Sequence, residues 1–176
     1  MKLAFVFPGQ GSQSVGMMQG FDTLPVVRKT FEEAGDVLKL NLWQMVTAGP
    51  VEAINQTINT QPVMLTAGVA VYRAWQEMGG GQPAFMAGHS LGEHTALVAA
   101  GALSFADALP LVRYRAEVMQ AAVAEGDSRT AEPVARDYRE RVRSDVLVLT
   151  DRDGRNLVSL GVDAAGWTEH ARPFRV

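Results

Sequence analysis

The chain has 176 residues, of which 47% are hydrophobic and 20% charged, a formal net charge of −3 and no cysteine. Such a length and mix describe a globular protein of one domain, or one domain with an appendage, with enough chain to bury a core. The charge excludes the basic surface of a nucleic-acid or anionic-membrane binder, and the lack of Cys excludes disulfides, thiolate metal sites and a thiol nucleophile.

The first segment, "KLAFVF", is a short apolar run stopped by Pro8-Gly9, which predicts a buried strand leading into a glycine-rich loop. Its five apolar residues after Lys2 are too few for a secretory leader, and no apolar run of membrane-spanning length follows, so the expected location is the cytoplasm. From Leu24 to Leu40, Val27, Phe31, Ala34 and Leu38 recur at helical spacing. Residues 49–81 predict a short helix, a break and a longer helix, with Pro62 in the first turn of the second and Gly79 to Gly81 ending it. "PAFMAG" predicts a second strand and "SLGEHTALVAAG" a helix closing at Gly101. Ser104 with Asp107 forms a capping-box-like start for a further helix to about Val123, which Pro110 should kink or delay. Strands alternating with helices imply an α/β fold with a mainly parallel sheet.

Charge then changes density. Residues 1–126 hold 7 Lys+Arg and 10 Asp+Glu, while residues 127–176 hold 9 and 9 and contain no Lys. This shift divides the chain into an α/β core over residues 1–125 and a charge-rich segment over 126–176. Within the second part, "DVLVLTDRDGRNLVSLGV" predicts a hairpin turning at Asp153-Gly154.

"AGHSLGEH", Ala87 to His94, contains G-x-S-x-G between a predicted strand and a predicted helix. Glycines at both flanks let Ser90 stand at a strained apex with its Oγ exposed, and the N–H of Leu91 is then a natural oxyanion donor at a helix N-terminus. The plainer alternative is a helix-capping Ser after a glycine turn. "PGQGSQ", Pro8 to Gln13, lies at the carboxyl end of the first strand, where open α/β sheets bind ligands. It is either a plain polar turn or part of the same site, and it matches neither phosphate-binding glycine pattern. Arg113 and Arg115 lie about 200° apart around one helix. Arg113 is expected to pair with Glu117, and Arg115 to point with the apolar face, where a guanidinium needs a carboxylate or a structural partner.

Together, "FVFPGQGSQSVGM", "TQPVMLT", "AGHSLGEHTAL" and "VRYRAEVMQ" resemble, in order and spacing, the N-terminal part of the malonyl-CoA:acyl carrier protein transacylase family over residues 1 to about 125. The resemblance implies an α/β-hydrolase-like core with a parallel sheet, here expected to be truncated and to lack most of the family's ferredoxin-like subdomain. It implies ping-pong transfer of a malonyl group from malonyl-CoA to acyl carrier protein in fatty-acid biosynthesis. Ser90 would carry the acyl ester, the backbone N–H groups of Gln10 and Leu91 would form the oxyanion site, and Arg115 would hold the malonyl carboxylate. No metal or bound cofactor is implied; coenzyme A and phosphopantetheine thioesters are substrates. The family's catalytic His follows the small subdomain, and His89, His94 and His170 do not match it. Two other readings remain: a serine esterase or thioesterase needing only the Ser motif, and a non-catalytic fragment that binds acyl-CoA or a partner chain.

Overall fold

A computed structural model describes residues 2–125, 146–150 and 156–161, with side chains over 2–121. Two compact units divide the chain, Met1–Ala116 and Glu117–Val176.

In the first unit, strand β1 (Ala4–Phe7) runs through α1 (Pro25–Leu38), α2 (Leu42–Ala48), α3 (Val51–Ile54) and α4 (Thr57–Glu77) to β2 (Phe85–Gly88). β2 pairs parallel with β1, with Ala4 opposite Phe85 and Phe7 opposite Gly88. Helix α5 (Leu91–Ala99) follows at once, then α6 (Phe105–Glu125). The α/β alternation and the parallel pairing are those the sequence predicts. Parallel strands need a long crossover, and four helices supply it.

The core forms where α1, α2, α4 and α6 bring together Val27, Phe31, Leu42, Val63, Leu65 and Leu109, all almost fully buried. A smaller cluster of Phe7, Tyr72 and Ala96 seats the sheet on α4 and α5. Phe5 and Phe7 meet Tyr72 edge-on, at ring separations of 5.6 and 6.4 Å. Strand alternation turns Val6 and Phe85 to the opposite face, where they are 74% and 61% exposed.

Three local features differ from expectation. Helix α2 was not anticipated; Asn41 starts it by accepting the Gln44 N–H at 3.0 Å. Pro62 lies at the sixth residue of α4 rather than in its first turn, so the helix begins earlier than the proline suggests. Helix α6 starts at Phe105 and continues past Pro110, so the proline does not delay its start. Ser104 caps it as expected, accepting the Asp107 N–H at 3.1 Å while its hydroxyl donates to the Asp107 carboxylate.

In the second unit, β3 (Val146–Thr150) and β4 (Asn156–Gly161) pair antiparallel, with Val146 opposite Gly161 and an irregularity at Leu149/Thr150. The turn at Asp153-Gly154 lies outside the described residues.

Candidate active site

The parallel register places the chain segments that leave β1 and β2 side by side. The ladder continues past the strands, with the His89 N–H donating to the Phe7 carbonyl at 3.1 Å. Loop and elbow therefore touch: a Cβ on Gly9 would lie 2.7 Å from the His89 carbonyl oxygen.

Between β2 and α5 the chain reverses in two residues, and the flanking glycines make this possible. A Cβ at Gly88 would lie 1.9 Å from the Gly92 carbonyl carbon, and one at Gly92 would lie 2.1 Å from the Phe7 carbonyl oxygen. Any side chain at either position would push α5 off the sheet. The turn drives Ser90 to φ 52, ψ −110, a strained conformation for a residue with a Cβ. Ser90 stands at the N-cap position, yet its side chain makes no capping hydrogen bond. The helix-capping alternative therefore fails. Its exposed Oγ instead accepts from Arg115 Nη2 at 3.1 Å.

Arg115 reaches this point from α6, and its Nη1 donates to Gln61 Oε1 on α4 at 2.7 Å. Arg113, expected to pair with Glu117, donates to the Ile58 carbonyl at 3.1 Å and to Asn59 Oδ1 at 3.3 Å. Pro62 explains that carbonyl. Lacking an N–H, Pro62 cannot donate to Ile58 four residues back, and Arg113 supplies a donor in its place.

The loop after β1 is anchored to the same region. Gln10 Nε2 donates to Thr57 Oγ1 at 3.1 Å, and Gln13 Nε2 to Asn55 Oδ1 at 2.9 Å. Gln13 Oε1 also accepts the Gly11 N–H at 2.8 Å, folding the loop on itself. Leu91 is the first residue of α5, so its N–H has no intrahelical acceptor.

His89 is exposed at the elbow. The pKa of His94 is lowered to about 4, chiefly by burial, then by the Arg115 charge, against a backbone hydrogen bond at Leu91 that raises it. A group so weakly basic is a poor proton acceptor for a hydroxyl. His170 lies outside the described residues. Among the described residues, no group of three or more His, Asp or Glu could hold a metal ion, and no helix is long and apolar enough to cross a membrane.

The structure thus gathers Ser90, Leu91, Arg115 and the Gln10 loop at the carboxyl ends of two adjacent strands. Gln61 was not singled out from the sequence. Its signal was an amide inside "TQPVMLT", a run that is buried throughout.

Known proteins resemble the chain in sequence and in fold. The acyl transferase domain family model matches residues 4–164. The chain is 52% identical over 137 residues to the malonyl CoA-acyl carrier protein transacylase of Escherichia coli (strain K12), spanning 77% of this chain and 44% of that protein. Against the Bacillus subtilis (strain 168) protein of the same name, identity is 46% over 131 residues, covering 74% and 41%. Among solved structures, an acyl-carrier-protein S-malonyltransferase from Burkholderia pseudomallei 1710b matches with TM-score 0.69 and 63% identity, over 70% of this chain and 40% of that one. A malonyl-transacylase solved in complex with its type II PKS acyl-carrier protein matches with TM-score 0.68 and 53% identity, over the same shares. The chain therefore spans less than half the length of these relatives.

Proposed function

Because the chain belongs to the acyl transferase domain family, we propose that it carries the nucleophile and acyl-selecting half of a malonyltransferase site. The reaction is transfer of malonyl from coenzyme A to the phosphopantetheine thiol of acyl carrier protein, as in fatty-acid biosynthesis. In the first half-reaction Ser90 Oγ bonds to the thioester carbonyl carbon, the C–S bond breaks, and coenzyme A leaves as the thiol with the serine proton. In the second, the carrier thiol sulfur bonds to the ester carbonyl carbon, the C–O bond to Ser90 breaks, and the thiol proton returns to Ser90 Oγ. The N–H groups of Leu91 and Gln10 face the oxygen that becomes negative in each tetrahedral intermediate.

One contact carries the reading: Arg115 Nη2 lies 3.1 Å from Ser90 Oγ. The two carbonyl carbons of a malonyl group are about 2.5 Å apart, from ordinary bond lengths and angles. A guanidinium holding one end must then stand within a few ångström of the nucleophile attacking the other, and Arg115 does. On binding, its Nη2 turns from Ser90 to the substrate carboxylate, and the half-buried charge disfavours a neutral acyl group that leaves it unmatched. The identities with malonyltransferases support the same substrate. The core is α/β-hydrolase-like, and no described residue is assigned as the general base.

Intact-mass analysis after incubation with malonyl-CoA tests this. The expected result is a malonyl adduct that disappears in Ser90→Ala. Adducts from neutral acyl esters but not from malonyl-CoA would instead mark a serine esterase, and no adduct with any thioester would mark a non-catalytic binding fragment.

A further inference from the structure

Gln61 is completely buried, and its Oε1 accepts from Arg115 Nη1 at 2.7 Å while the same guanidinium donates to Ser90 Oγ. It sits on a rigid platform. Every residue from Thr60 to Ala67 is buried, and Thr60 Oγ1 ties the turn to the Ile54 carbonyl at 2.6 Å. Arg113 latches α6 to the same turn through the Ile58 carbonyl made available by Pro62. A guanidinium is planar, so an acceptor fixed at one Nη sets the plane and aims the other N–H groups.

We propose that Gln61 is the positioning residue for Arg115, and that its being an amide rather than an acid makes it a determinant of acyl-group specificity. This rests on the reading of Arg115 as the holder of the malonyl carboxylate. An amide oxygen orients the guanidinium without adding a charge. A carboxylate at position 61 would orient it equally well but would neutralise it and repel an anionic acyl group. An apolar side chain of the same length would leave the charge and lose the aim.

Equilibrium binding of malonyl-CoA and of acetyl-CoA to the full 176-residue chain tests the proposal, in a Ser90→Ala background that prevents transfer. Gln61→Met should cut the preference for malonyl-CoA by roughly tenfold, the scale of one hydrogen bond to a charged group. Gln61→Glu should abolish it. Both should leave acetyl-CoA binding within about twofold of the background, on the scale expected for a ligand that does not use the guanidinium. Gln61→Glu preserves shape and so remains informative if the methionine variant fails to fold. Two glutamine variants with the background's preference, alongside an Arg115→Ala variant that has lost it, would overturn the proposal alone. A preference that survives in Arg115→Ala would overturn the carboxylate reading and the proposal with it.

Discussion

At His94, burial and the neighbouring Arg115 charge both favour the neutral imidazole, lowering its pKa from 6.5 to about 4. The unfolded chain therefore binds a proton between those values that the folded chain refuses. The native state keeps its full stability above about pH 6.5 and loses it as pH falls towards 4, levelling off below that, with a total of about 3 kcal/mol. Denaturation midpoints measured across this range should fall accordingly, and His94→Gln should flatten that part of the profile. Ser90 was legible in the sequence because the flanking glycines force an elbow; Arg115 was singled out by the family resemblance, its helix position alone leaving a structural partner open. The titration of His94 was not legible. It depends first on burial and then on a guanidinium arriving from α6, 21 positions along the chain (115 − 94), and only the fold sets either. Gln61 was obscure for the same reason, since nothing within "TQPVMLT" announces an arginine partner.

Helix α4 shows how one element connects several parts of the site. Its first turn receives the Gln10 side chain at Thr57, Arg113 at Ile58 and Asn59, and Arg115 at Gln61. Pro62 and Arg113 should therefore be energetically coupled. Arg113→Ala removes the guanidinium donor from the Ile58 carbonyl and should cost about 1–2 kcal/mol. In a Pro62→Ala background, the restored N–H at position 62 can serve that carbonyl, and the same change should cost about 1 kcal/mol less. A double-mutant cycle from denaturant titrations measures the difference; strict additivity would refute the exchange of donors. The proline was visible in the sequence, but its position within the helix was not. Prolines are favoured in first turns, and here packing of the apolar face of α4 carries the helix five residues before it (62 − 57). Helix α2 was missed although its signal was present, with Asn41 as a cap and Leu42 and Val46 four apart on the buried side.

On the scale of the molecule, the β1–β2 sheet is covered on one face by α4 and α5 and presents Val6 and Phe85 to solvent on the other. Apolar side chains grouped in this way favour association and dye binding. Replacing both, as Val6→Thr with Phe85→Ser, should change stability by less than about 1 kcal/mol because neither is buried. It should lower hydrophobic-dye fluorescence and reduce self-association seen by sedimentation; unchanged values for both would show that this face plays no part in either. The parallel sheet also governs the order in which the site comes into being. Its first strand emerges from the ribosome at Ala4 and finds its partner only at Phe85, with Arg115 later still. Closing so long a loop is slow and entropically costly. The helices between the strands must already have condensed before Ser90, the Gln10 loop and Arg115 can meet. During synthesis the Gln10 loop is thus made first and put to use last, after β2 has docked and α6 has cleared the ribosome.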